Sequence, residues 1–144
     1  MEFRDYVDSD KESVVDMARR WLERMFNGNS DEFKVLKEFD VTAGYVKYLV
    51  IIIDGKVVAC GALKKLSDDE VRLKRMYVDR QYQGRGFASK ILRELMSFAK
   101  AAGFKRVLFH TYPVMENARR FHKAHGFVET EGDDPEQIHF VREL

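Results

Sequence analysis

The segment Val78-Asp79-Arg80-Gln81-Tyr82-Gln83-Gly84-Arg85-Gly86-Phe87-Ala88-Ser89 sets a basic, glycine-punctuated turn between a β-branched run and an amphipathic helix. Such a junction is how a protein builds a phosphate site. Glycine reaches positive φ without a Cβ in the way, so the chain turns sharply and its backbone approaches a ligand closely. The helix that follows offers N–H groups at its first turn with the helix dipole behind them, which makes the junction an anion site, and phosphate is the anion it suits best. A dinucleotide-binding fingerprint would need a third glycine where Ser89 stands and an acidic residue about twenty positions on, where the chain has Phe109-His110. A Walker loop would need Gly-Lys followed by Ser or Thr, which is absent. A tight turn with no ligand is the other reading of these residues alone.

A chain of 144 residues predicts one domain over 1–144 with one hydrophobic core. Its net charge of +1 argues against nucleic acid and anionic membranes as partners and points to a small molecule. No apolar run is long enough to span a membrane and Met1-Glu2-Phe3-Arg4-Asp5 is too polar for a signal peptide, so a cytoplasmic location is expected. Cys60 stands alone, and no Cys/His cluster has zinc spacing; no metal is expected. The abundant charged residues suit either an ion-pair surface or ordinary solvated helix faces.

Ser9-Asp10-Lys11-Glu12 has the pattern of a capping box, an S-x-x-E start from Ser9 or one based on Asp10, followed by Val14, Val15, Met17, Ala18, Trp21, Leu22 and Met25 at helical spacing to about Asn27-Gly28. Ser30 or Asp31 opens a shorter second helix with Phe33, Val35 and Leu36. Tyr48–Ile53 and Val57–Leu63 flank Asp54-Gly55, a strong hairpin signal, and Val71 to Val78 extends the meander into the glycine turn. Ile91, Leu92, Leu95 and Met96 mark the helix after it, ended by Gly103. A strand at Val107–Tyr112, a helix from Asn117 to His125 stopped by Gly126, and strands at Phe127–Thr130 and Ile138–Val141 complete the chain, with a short strand at Glu2–Tyr6 in prospect. The fold class is α+β, a mixed α/β arrangement.

Gln81-Tyr82-Gln83-Gly84-Arg85-Gly86, the strand Leu73–Val78 before it and the later Phe121-His122-Lys123-Ala124-His125-Gly126-Phe127 resemble the GNAT superfamily of acyl-CoA-dependent N-acetyltransferases. The resemblance covers most of the chain from Tyr48 on, and the joint occurrence of these motifs is far more specific than the hexapeptide alone. It implies a central mixed, mostly antiparallel sheet flanked by about four helices. Acetyl-CoA is implied as cosubstrate, and a primary amine on a small molecule or a peptide as acceptor, attacked directly to form a tetrahedral intermediate. Gln83, Gly84, Arg85, Gly86, Phe87, Ala88 and Ser89 would hold the coenzyme A diphosphate, and the main chain of Met76, Tyr77 and Val78 would bind pantetheine as an added strand does. Arg85 either adds charge there or is a solvated loop residue. Main-chain N–H near Tyr77 or Val78 would stabilise the oxyanion.

The family's catalytic side chains do not all carry over. The glutamate base of the fourth strand corresponds to Arg72, and the nearest carboxylate on that strand face is Glu70; the fifth-strand position falls on His110, a credible base at neutral pH. The tyrosine acid four residues before the Gly-Phe pair is here His122, so either His122 is the acid or no side chain is. The family's cofactor-contacting asparagine falls on Met115, while Asn117 reads as the N-cap of its helix. Arg119-Arg120 could reach the 3′-phosphate but reads more simply as surface. These departures leave a second function class in view, a coenzyme A or acyl-CoA binding module without turnover. The acceptor is set by segments around Asn27 to Asp31, Phe39 to Tyr45 and Tyr112 to Glu116, where Asp40 could attract a cationic amine. Dimerisation through the C-terminal strands is a further option.

Overall fold

Leu49–Ile52 and Val57–Leu63 are apolar on both faces, and both faces are covered. In a computed structural model describing residues 1–26, 44–113 and 115–144, these runs form β2 (Tyr45–Ile53) and β3 (Lys56–Lys65) in a seven-stranded sheet. The remaining strands are β1 (Glu2–Asp5), β4 (Glu70–Val78), β5 (Arg106–Thr111), β6 (Val128–Thr130) and β7 (Ile138–Glu143), in spatial order β1-β2-β3-β4-β5-β7-β6. Every neighbouring pair is antiparallel except β4 and β5, whose parallel pairing needs a crossover.

Helix α2 (Phe87–Ala101) is that crossover. Its Ile91, Leu92, Leu95, Met96 and Ala99 recur at helical spacing and bury against Leu49, Ile51, Ala59, Leu63 and Leu73. On the opposite face α1 (Lys11–Phe26) packs Val14, Met17 and Ala18 on Val50, Ile52, Val57 and Cys60. The alternation of Leu49 and Ile51 with Val50 and Ile52 between the two clusters is the strand's period of two. Asp54 (φ 52°) and Gly55 (φ 76°) both take the left-handed conformation that a two-residue hairpin requires. The second helix expected from Ser30 or Asp31 lies outside the described residues.

Two local expectations are corrected. Ser9 does not cap α1: it sits in a one-turn 3-10 helix, Asp8–Asp10, and the Asp10 carboxylate takes the Val7 N–H at 2.9 Å while pairing with Arg4. Asn117 does not cap α3 (Glu116–Ala124), whose N-cap is Met115, two residues earlier; Asn117 lies inside the first turn and accepts a bond from Arg120. The other end of α3 explains the Gly-Phe signature. Phe127 N–H donates to His122 O at 3.0 Å and Gly126 N–H to Lys123 O at 3.2 Å, with Gly126 at φ 88°, the Schellman closure, while Phe127 is driven into the core. Among the described residues no helix is long and apolar enough to cross a membrane.

Candidate functional site

β4 and β5 are paired through only three residue pairs, Glu70–Arg106, Val71–Val107 and Arg72–Leu108. β5 continues with β7 as far as Thr111, while Leu73–Val78 runs on beside β3, so the two central strands part beyond Arg72. A bulge bends β4 three residues further on: Arg75 and Met76 stand opposite the single residue Gly61, with Arg75 at φ 60°. Gly61 is there because nothing larger fits, since a Cβ would meet Ile91 Cγ2 at 2.6 Å and Met76 Sδ at 2.8 Å. Arg75 is held by its Nε donating to Tyr45 Oη at 2.8 Å and by its carbonyl accepting the Cys60 thiol at 3.0 Å. Burial pushes the Cys60 thiol up to about 12, which makes it a core group and no nucleophile.

The glycine turn closes the same end of β4. Asp79 N–H donates to Val58 O at 2.8 Å, Arg80–Tyr82 make one 3-10 turn, and Gln83 Nε2 donates back to Val78 O at 3.3 Å. Gly84 (φ 78°) and Gly86 (φ 82°) follow, and a Cβ on either would find no atom within 4 Å. The first intrahelical bond runs from Lys90 N to Gly86 O at 3.0 Å, so the N–H groups of Phe87, Ala88 and Ser89 head α2. The Arg85 guanidinium lies over the Tyr82 ring, 4.9 Å from its centre, and is exposed. This is an open nest of donors with room for a diphosphate in front of it. Met76 packs beside Gly61 on the α2 face, whereas the Tyr77 ring turns to the α1 face, 4.9 Å from Trp21.

The three titratable candidates are not brought together. His122 lies on α3, 2% exposed, stacked 3.9 Å from Phe109 of β5. Its Nδ1–H donates to Ala118 O at 2.7 Å, and its Nε2 is buried with no hydrogen-bond partner among the described residues. Burial lowers its pKa to about 4, against the Ala118 bond that raises it. At neutral pH His122 therefore has a lone pair to accept with and no proton to spare. His110, the next residue along β5, faces the other side of the sheet, where Arg72 Nη1 donates to its Nδ1 at 2.6 Å. Guanidinium only donates, so the imidazole is in the tautomer that carries its hydrogen on Nε2. Glu70, at the far end of β4, accepts from Arg106 at 3.2 Å. Arg119 pairs with Glu129 and Arg120 with Asn117. Among the described residues no group of three or more His, Cys, Asp or Glu side chains is placed to hold a metal ion.

Three features of the site escaped the sequence. The bulge has no signal in β4 itself, and its only trace is Gly61 on the neighbouring strand. The Ser89 hydroxyl donates to His125 Nε2 at 3.1 Å, tying the first turn of α2 to the end of α3, with His125 Nδ1–H on Phe121 O at 2.9 Å. Thr111, 2% exposed, donates to Met115 Sδ at 3.0 Å, which fixes the start of α3.

The model of a family described as Acetyltransferase (GNAT) family matches residues 14–127. Among curated proteins, N-acetylaspartate synthetase of Danio rerio is 31% identical over 94 residues, 61% of this chain and 33% of that protein. The probable N-acetyltransferase camello of Xenopus tropicalis is 29% identical over 123 residues, 79% of this chain and 56% of that protein. The chain thus spans about a third of the length of the synthetase it matches. Among solved structures, an acetyltransferase of the GNAT family from Staphylococcus aureus superposes with a TM-score of 0.84 at 19% identity, covering 99% of this chain and 98% of that one. The PaiA N-acetyltransferase of Thermoplasma acidophilum, solved in complex with coenzyme A, superposes with a TM-score of 0.81 at 16% identity over 99% and 98% of the two chains. At these identities the structures speak for the fold.

Proposed function

This chain belongs to the acetyltransferase (GNAT) family, and from that premise we propose that residues 1–144 form one domain that moves an acetyl group from acetyl-CoA to a primary amine by direct attack of the amine nitrogen. The observation that carries the reading is the parting of β4 from β5 beyond Arg72 and Leu108, with the glycine turn at its mouth. Acetyl-CoA supplies the acetyl group as an activated thioester when bound. Gln83 to Ser89 would hold its diphosphate, because the space in front of Gly84 and Gly86 is open and the helix N–H groups face an anion. The main chain of Met76, Tyr77 and Val78 is the edge along which an extended ligand adds as a strand does. Main-chain N–H beside the bulge, at Tyr77 or Val78, stabilises the negative charge that develops on the acetyl oxygen.

His110 takes the amine's proton. In the resting arrangement Arg72 occupies its Nδ1 lone pair, and displacement of Arg72 by the acceptor exposes it. Glu70, engaged by Arg106, keeps a structural part. The single N–H of neutral His122 is spent on Ala118 O and its Nε2 carries no proton, so the proton for the leaving sulfur comes from the amine or from water. A thiol-release assay across a panel of primary amines, with mass spectrometry of the product, tests the reading: release saturable in acetyl-CoA and dependent on one class of amine is expected. Saturable acetyl-CoA binding with no release on any amine would make the chain a binding module.

A further inference from the structure

We propose that Arg72 recognises a carboxylate on the acceptor, so that the amine acetylated belongs to a molecule of amino-acid type. The proposal rests on the acetyl-transfer reading above. Arg72 is half-buried at the last residue pair before β4 and β5 part. Arg4, Arg20, Arg106 and Arg119 each hold a carboxylate, at 2.8, 2.9, 3.2 and 2.8 Å, whereas among the described residues no carboxylate lies within ion-pair distance of Arg72. Its contact is the His110 imidazole at 2.6 Å. A guanidinium carries five N–H donors in a planar fork, and one imidazole lone pair uses one of them. A partly desolvated cation facing a neutral ring is an arrangement that a bound anion improves.

The neighbouring strands add hydrogen-bonding rings to the same face. His139 of β7 lies across from His110 of β5 in register, their ring centres 6.1 Å apart, and His139 Nε2–H donates to Asp134 O at 3.1 Å. β4, β5 and β7 thus present Arg72, His110 and His139 in a row on the face opposite α2, where Glu70 of β4 is already on Arg106. Arg72 stands three residues before the bulge at Arg75, about 10 Å along the strand. The arginine side chain covers part of that distance, and a molecule of amino-acid size spans the remainder. The planar fork matches a carboxylate through two parallel bonds, for which a simple alkylamine has nothing to offer. The same carboxylate draws Arg72 from His110 Nδ1, so an acceptor of the right class uncovers its own base.

Calorimetric binding of N-acetylalanine and N-acetylglutamate, each against its amide, to the coenzyme A-saturated protein requires no turnover, which separates this test from the thiol-release assay. The acids are expected to bind at least tenfold more tightly than the amides, and Arg72→Gln to abolish the difference with coenzyme A affinity retained. Arg72→Lys, which keeps the charge and loses the fork, is expected to retain only part of the preference, and it serves as well should Arg72→Gln fail to fold. Equal binding of acid and amide by the wild type, no binding of either, or an undiminished preference in the variants would overturn the proposal. Inorganic phosphate competing as well as acetate would overturn the assignment to carboxylate.

Discussion

Gly61 of β3 lies opposite the β4 bulge, and a Cβ added there would stand 2.8 Å from Met76 Sδ. The bulge survives because the facing strand gives up a side chain to it. Gly61→Ala must push both Met76 and Ile91 aside in a packed core, and a loss of about 1–3 kcal/mol is expected by urea unfolding, as overpacking usually costs. Thiol release should fall with it, since a displaced Met76 moves the β4 main chain.

His122 makes stability depend on pH. Its folded pKa, about 4, lies below the roughly 6.5 of the unfolded chain. Between those values the unfolded state binds the extra proton, so the contribution is complete above pH 6.5 and is lost as pH falls toward 4. Unfolding free energy should drop by up to about 3 kcal/mol on going from pH 7.5 to pH 4 through this group, and His122→Phe should remove that part of the slope. In an NMR titration of the wild type the His122 ring should stay neutral down to pH 5.

Gly86→Ala separates cofactor binding from folding. An alanine at φ 82° costs about 1–2 kcal/mol, and its methyl projects into the open space before the turn, away from any protein atom. A modest fall in melting temperature with a tenfold or greater loss of coenzyme A affinity by calorimetry is the expected result. Unchanged affinity would remove the turn from the cofactor site.

Ser89→Ala cuts the bond to His125 Nε2 and leaves the His125 bond to Phe121 in place. Loss of one partly buried hydrogen bond should cost about 0.5–1.5 kcal/mol. Hydrogen exchange should quicken in α3 as well as in the first turn of α2, because the bond joins the two helices.

What could be read from the sequence was local. The Asp54-Gly55 hairpin, the glycine turn and the Gly126-Phe127 closure are each set by a few neighbouring residues whose backbone demands are strong, and the structure has all three. Non-local contacts left little trace. Arg75 is an ordinary residue forced to φ 60° by pairing with β3, and the contact of Arg72 with His110 joins residues 38 positions apart. The capping pattern at Ser9 was legible but lost to Asp10, which Arg4 on β1 holds in place. His122 reads as a titratable histidine, and only its burial on α3 against Phe109 shows that it is neutral.

The brief parallel seam between β4 and β5 divides the sheet mechanically. β1-β2-β3-β4 and β5-β7-β6 are two leaves stitched at their centre by three residue pairs, with α2 and the bond from Ser89 to His125 bracing one side. A seam of three residue pairs leaves few hydrogen bonds between the leaves, and an extended ligand bound along the proposed edge would add to them, so that tolerance to heat would then rise with ligand concentration.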